Sequence, residues 1–358
     1  MKKTLTAWRA SARTCARTCG LTAAVLVAAT ASVQAQVQVH GILDLAVGQI
    51  ETQPPGAPNA PIVTVKGVHS GGLTTSYWGI RGTEDLGGGL KARFQIESFI
   101  RMDTGQNGRF DASPGGAADF YWSREAYVAL GNEYGEIRLG TNGHPTWVAM
   151  IQSSAMGGNS VFSPGFRQLF NGGTRGRSEV DTAMVNSVKY QSPAWAGFSG
   201  NVAVQAGEGS GTGASNSVQL AYRGGPLFVT AAMSNIRHAA LPNLAGVRHQ
   251  DIRLIGASYD LGVVKLFGQY STFDNARLNT KDKVPHVGLT VPFGLGLFQL
   301  AFADDKITSA TAVTHRKTTS AGYIYSLSKR TDLYTFVMQD KVSVGTAESY
   351  VAGIRHAF

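Results

Sequence analysis

The chain is most informative in what it lacks. Among its 358 residues there are two cysteines, Cys15 and Cys19, and both lie in the first 20. Anything built on the rest of the chain has neither disulfides nor thiolate chemistry. Charge is scarce, at 15% of residues, while 43% are hydrophobic, a balance that excludes a disordered chain. Beyond residue 35 no apolar run reaches the roughly 18 residues of a membrane-spanning helix, so a helical membrane protein is excluded as well. Catalytic signatures are missing too. There is no Gly-x-Ser-x-Gly, no Gly-Lys dipeptide of a phosphate loop, and no histidine pair at i, i+4 joined to a carboxylate. His144 and His286 read as loop or lumen residues rather than metal ligands. The glycine-rich Gly207–Gly213 stretch follows a strand but leads into another strand, which makes it a loop rather than a nucleotide cradle. Glu84 and Asp85 are adjacent on a strand and point apart, so they form no acid/base pair. The expectation is a protein without enzymatic activity and without a cofactor or metal.

Glycine, by contrast, is abundant at 44 residues, and the N-terminus has a clear organisation. Lys2, Lys3, Arg9, Arg13 and Arg17 form a basic start with no carboxylate. A short apolar stretch, Leu21 to Ala31, follows, and Val33-Gln34-Ala35 supplies small residues before a cut that would leave Gln36 first. This is the pattern of a removable secretory signal. The expected organisation is therefore a signal over 1–35 and one unit over 36–358. Removing the signal leaves 27 basic against 23 acidic residues, a net charge of +4 in place of +9. The basic excess is thus mostly the signal's and gives no case for a nucleic-acid partner.

From residue 36 on, one pattern recurs: about ten residues alternating apolar with polar or small, then a turn. Phe198, Gly200, Val202 and Val204 alternate with Ser199, Asn201, Ala203 and Gln205. Leu90, Ala92, Phe94 and Ile96 alternate with Lys91, Arg93, Gln95 and Glu97. Side chains on a strand point to opposite faces in turn, so each segment has one oily and one wet surface. Sixteen such segments are predicted: 37–48, 77–84, 90–101, 122–131, 135–140, 184–192, 197–206, 216–223, 227–235, 247–259, 262–272, 284–291, 295–304, 316–327, 331–340 and 347–358. Tight turns such as Asp85–Gly89 alternate with mostly longer connections: 49–76, 102–121, 141–183, 207–215, 236–246, 273–283, 305–315 and 341–346. A soluble sandwich has no reason to sort its connections this way. A sixteen-stranded antiparallel transmembrane β-barrel does, since closure satisfies every backbone group inside a bilayer. Tyr350, Ala352, Ile354, His356 and the terminal Phe358 share one face, and a terminal Phe after such alternation resembles the C-terminal assembly signal of outer-membrane barrels.

Several stretches carry a family likeness: Val39-His40-Gly41-Ile42-Leu43-Asp44, the block Trp78 to Ala92 with its Gly-Thr-Glu-Asp-Leu-Gly-Gly-Gly, Arg124 to Gly131, Asn186 to Tyr190, Gly256 to Asp260, Leu327 to Tyr334 with its Ser-Lys-Arg-Thr, and Gly353 to His356. On these the chain resembles the general-diffusion porins of β-proteobacteria, of the neisserial, Burkholderia and Bordetella type. The resemblance implies a homotrimer in the bacterial outer membrane, each barrel holding a water-filled pore narrowed by an inward-folded third loop, here 141–183. It implies as partners outer-membrane lipid or lipopolysaccharide, the barrel assembly machinery, and small hydrophilic solutes and ions. Ser163-Pro164-Gly165-Phe166 loosely echoes an element of that family's loop. Tyr77 and Thr141 stand where many relatives carry basic residues, and Arg93 where they carry an aliphatic one.

Strand parity places Lys91, Arg93, Arg138, Lys189 and Lys265 on the wet face, against Glu97 and Glu136. Arg175 and Arg177 are where the resemblance puts a constriction arginine. Arg124 matches another, although its parity groups it with Ala126, Val128 and Leu130 on the oily side. Together these residues and Tyr77 are the candidate pore lining, and they favour anions modestly. A solute-specific channel or an adhesin on the same barrel is the alternative. Only Tyr77 and Phe267 are expected as lumen aromatics, too few for a sugar slide.

Overall fold

A computed structural model describes residues 36–53, 60–109, 120–170, 181–207, 213–237, 249–276 and 279–358. The expected signal, 1–35, lies outside the described residues. In chain order the strands are β1 (Gln36–Thr52), β2 (Val63–Ser70), β3 (Tyr77–Gly87), β4 (Leu90–Arg101), β5 (Gln106–Asn107), β6 (Glu125–Asn132) and β7 (Gly135–Gly143). Next come β8 (Ala183–Gln191), β9 (Phe198–Gln205), β10 (Ser215–Gly224), β11 (Leu227–Ile236) and β12 (Gln250–Asp260). The last six are β13 (Lys265–Asn275), β14 (Thr280–Phe293), β15 (Gly296–Thr308), β16 (Val313–Ser326), β17 (Thr331–Val342) and β18 (Gly345–Ala357). Two helices, α1 (Pro145–Gln152) and α2 (Pro164–Leu169), lie between β7 and β8.

Every pairing is antiparallel, and β1 meets β18 from Ile42 opposite Ala357 to Gln49 opposite Tyr350. That seam closes the wall into a barrel. The barrel has sixteen staves because β2 and β3 share one: β1 pairs with β3 through Gln36–Ile42 and with β2 through Leu45–Thr52. The short β5 only extends β4 at its outer end. The alternation works as expected. Val128, Leu139, Leu220 and Val287 stand outward and exposed, while Tyr127 and Ala129, on either side of Val128, turn inward and are buried. An apolar outer surface of this extent is stable only in contact with lipid. The β3–β4 turn shows how tightly the strands are joined. Gly87, Gly88 and Gly89 all take left-handed backbone, φ +83°, +60° and +81°, which side chains rarely adopt.

The structure departs from the expected segments in two places. Residues 63–70 fall within an expected loop yet form β2; Val63, Val65 and Val68 carry a strand signal hidden between Pro54, Pro55, Pro58 and Pro61 on one side and Gly71-Gly72 on the other. The loop-end connections of the C-terminal half are short: β17 reaches Val342 and β18 begins at Gly345. Long and short connections therefore alternate cleanly in the first half of the chain only.

Candidate pore constriction

Residues 144–170, in the link from β7 to β8, fold into the barrel. His144 caps α1, its Nδ1 accepting from the Thr146 amide at 3.2 Å, and Pro145 occupies the first turn, where a missing N–H costs nothing. α1, α2 and the turns between them carry apolar side chains into two clusters against the wall. Met150, Phe166, Leu169 and Phe170 pack on Ile252, Leu254, Phe273 and Val284. Met156 and Phe162 pack on Tyr334, Phe336 and Met338, with Phe162 stacked on Phe336 at 5.4 Å.

Polar contacts fix the depth of the loop. Inward-facing glutamines reach its backbone and side chains: Gln219 donates to Gln152 Oε1 at 2.8 Å, Gln269 to the Met150 carbonyl at 2.6 Å and Gln299 to the Ala155 carbonyl at 2.7 Å. At α2, Arg167 donates to Asp340 at 3.2 Å. The same carboxylate accepts from Arg316 at 2.7 and 3.1 Å and from Thr318 at 2.9 Å. Arg167 and Asp340 are both almost wholly buried.

A second inward element faces this loop. Between β2 and β3, residues 71–76 leave the wall and are clamped on Asp44. Its carboxylate accepts from the Leu73 and Thr74 amides at 3.1 and 2.7 Å and from the Tyr334 hydroxyl. Ser76 Oγ bridges the Asp44 amide and carbonyl at 2.9 and 3.0 Å. Thr75 Oγ1 comes within 3.5 Å of Ser160 in the third loop, and Thr74 accepts from Arg355 at 3.0 Å.

Between the two elements a space of about 590 Å³ remains open. Arg109, Arg124, Lys265 and Arg355 line it, with Glu125 as the one lining carboxylate among the described residues. Each arginine is held by an acid set behind it. Arg124 pairs with Glu97, which is 2% exposed, and lies over the Tyr77 ring at 3.8 Å. Arg109 grips Asp181 with two donors and sits over Phe99 at 5.0 Å. Arg355 donates to Asp332 at 2.6 Å. Burial works against ionising Asp181, but the Arg109 guanidinium outweighs it and holds the carboxyl below its usual range. His144 is also pushed down, to about 3: burial, helped by nearby Lys189 and opposed by Asp181, keeps it neutral.

The candidates separate into three groups. Arg124 and Lys265 line the central space, and Tyr77 supports Arg124. Lys91, Arg93 and Arg138 line a second recess of about 370 Å³ near the short-turn end, where Arg93 and Arg138 both bind Glu136 at 2.6 Å. Lys189 is buried, its ammonium donating to the Gly143 carbonyl at 3.0 Å, so it braces the root of the loop. Arg175 and Arg177 lie outside the described residues. The parity assignment of Arg124 to the oily side is corrected here: β6 begins at Glu125, so Arg124 precedes the strand and escapes its alternation. The expectation of two lumen aromatics is also corrected, since Phe99, Trp147 and Phe166 join Phe267 along the space. Arg109 and Arg355 were not among the candidates. Arg109 follows β5 in a long connection without a period, whereas the parity of Arg355, opposite Ile354 and His356, was a usable signal.

Phe358 continues the closing seam beyond β18. Its amide donates to the Gly41 carbonyl at 3.1 Å and its carbonyl accepts from the Gly41 amide at 3.3 Å, with the ring lying over the glycine.

Comparison with known proteins agrees with this construction. The profile of the Gram-negative porin family matches residues 20–345. Outer membrane porin protein 32 of Delftia acidovorans is 32% identical over 325 residues, 82% of this chain and 87% of that protein. An outer membrane porin protein of Bordetella pertussis is 28% identical, over 89% of this chain and 94% of its own. Among solved structures, an anion-selective porin from Comamonas acidovorans superposes with a TM-score of 0.73 at 26% identity, covering 91% of this chain and all of that one. A closed sixteen-stave barrel with an apolar exterior, a loop folded into its lumen and a family match over nearly its whole length place this chain in the outer membrane, as a member of the Gram-negative porin family.

Proposed function

We propose that the chain forms a homotrimeric general-diffusion pore with a modest preference for anions. The observation that carries the preference is the lining of the central space, where four cationic side chains meet one carboxylate. Cations at a narrow point raise the local potential and favour anions. The preference is modest because Glu97, Asp181 and Asp332 stand directly behind three of the four cations and offset much of their field. The anion-selective porin of Comamonas acidovorans supports the same sign. The trimer rests on family membership, as do contacts with lipopolysaccharide and the assembly machinery.

Reversal potential across a salt gradient tests the reading. The parent should prefer anions, and Arg124→Gln with Arg355→Gln should move the ratio toward cations. Arg175→Gln with Arg177→Gln should move it further if those side chains reach the same passage. Cation preference in the parent, or no shift with Arg124 and Arg355 replaced, overturns the proposal. We also propose that export removes residues 1–35; the intact mass of outer-membrane protein should begin at Gln36, and retention of Met1 refutes it.

A further inference from the structure

Residues 71–76 break the regularity of the wall, and the register of β1 shows why. Ser70, the last residue of β2, stands opposite Leu45, and Tyr77, the first of β3, stands opposite Ile42. Six residues, 71–76, therefore face a stretch of β1 only two residues long, Leu43 and Asp44. Strand pairing has no room for the excess, so the backbone leaves the sheet. Gly71 starts the excursion in left-handed backbone, at φ +80°, a conformation that glycine adopts without penalty.

The excursion runs inward because its contacts lie there. Leu73 is buried in one cluster with Met156 and Phe162 of the third loop and with Tyr334 and Phe336 of the wall. Leu73, Thr74 and Thr75 line the central space. Thr75 Oγ1 meets Ser160 Oγ of the third loop at 3.5 Å, so the two inward elements touch at the margin of that space.

Asp44 holds the excursion with every polar group it has. Its carbonyl accepts from the Gly71 amide at 2.9 Å, and its carboxylate accepts from the Leu73 and Thr74 amides. Its amide donates to Ser76 Oγ, which fixes the far end. Tyr334 reaches the same carboxylate from β17 by crossing β18 at Gly353, where a side chain would collide with its ring. Gly72 clears the other side, since a Cβ there would lie 2.5 Å from the Tyr334 hydroxyl. Hydrogen bonds to an ionised acceptor are the strong ones, so this is a firm tether. Thr74 passes the constraint on by accepting from Arg355, whose guanidinium also donates to Asp332.

We infer that residues 71–76 are a second jaw of the constriction, and that Asp44 is the positioning residue that sets the size limit for passing solutes. The inference rests on the diffusion-pore reading: the third loop narrows the lumen from one side and the jaw held by Asp44 narrows it from the other. Liposome swelling tests it with neutral sugars, which leave the charges of Asp44 and Arg355 out of the measurement. The purified protein should admit arabinose freely and the tetrasaccharide stachyose slowly. Asp44→Ala should raise the stachyose rate relative to arabinose roughly fivefold, because the charged tether is lost. A loss of folded protein lowers both rates alike and leaves their ratio unmoved.

Thr75→Cys with Ser160→Cys supplies the opposite change. The sequence has no cysteine beyond residue 35, so the introduced pair can join only with each other within one chain. Oxidising that pair in the Asp44→Ala background should return the ratio to the parent's, and reductant should raise it again. Where Asp44→Ala lacks the heat-modifiable gel mobility of a folded barrel, Tyr334→Phe takes its place. It keeps the ring over Gly353 and removes one donor, so the ratio should rise about twofold. A parent that excludes arabinose refutes the diffusion-pore reading and this inference with it; with arabinose admitted, only the jaw is at stake. The inference is then overturned by an unchanged ratio in the folded variant, by a cysteine pair that fails to cross-link in the parent, or by an oxidised pair that leaves the ratio high.

Discussion

Asp340→Asn is the sharpest perturbation of the third loop that leaves the passage itself untouched. The carboxylate is 1% exposed and serves Arg167 from the loop, and Arg316 and Thr318 from the wall. Asparagine has nearly the same shape but removes the charge, leaving two buried guanidiniums facing each other. Breaking a buried ion pair by removing one partner costs about 3–5 kcal/mol. The low end applies, because Asp305 still faces Arg316 and offsets part of the loss. At about 3 kcal/mol, the fraction of barrels with α2 released from the wall rises roughly 100-fold, since every 1.4 kcal/mol is a factor of ten. Single-channel recording should show frequent brief transitions absent from the parent, and the loop should become a protease target. Adding Arg167→Gln should restore much of the quiet behaviour, because the unpaired charge has then gone. A quiet, protease-resistant Asp340→Asn channel, or a double variant noisier than the single one, refutes the reasoning.

Two further outcomes follow from contacts at the loop's root and at the seam. Above pH 6.5 His144 is neutral whether the loop is docked or released; below it the released histidine takes a proton that the docked one refuses until about pH 3, so docking weakens by about 1.4 kcal/mol per unit of falling pH. The open level of the parent should become unsteady across that window, while His144→Asn, which keeps a capping acceptor, should be flat; a parent steady down to pH 3 contradicts this. Deleting Phe358 removes both backbone bonds to Gly41 and the ring above it, so the yield of heat-modifiable folded protein should fall several-fold, and an unchanged yield would show that the seam closes without it.

The barrel was legible because its driving rule is local. Period two decides which face meets lipid, and it holds along β9, β14 or β18 without reference to any other strand. The passage was not legible in the same way, because it is assembled from residues that obey no period. Arg124 sits one residue before its strand, Arg109 lies in a long connection, and the Asp44 clamp joins β1, the 71–76 link and Tyr334 of β17 across the closing seam. Parity could place Lys91, Arg93 and Arg138 on the inner wall, yet not tell that they line a recess apart from the central space. Gln219, Gln269 and Gln299 were the missed signal. Uncharged amides at inward positions under a long loop are what tethering that loop to a wall requires.

The uneven lengths of the loop-end connections give the mouth a direction. Those leaving β4, β7 and β11 run to a dozen residues or more, whereas β13, β15 and β17 turn back almost at once. Among the described residues, the rim is therefore low over β13 to β18. A solute arriving from outside meets that low side first, where Arg253, Lys283 and Lys306 stand just over the rim. Their field reaches roughly one screening length, about 8 Å at physiological salt. An ion that approaches over the low side of the rim therefore crosses that field before it reaches the mouth.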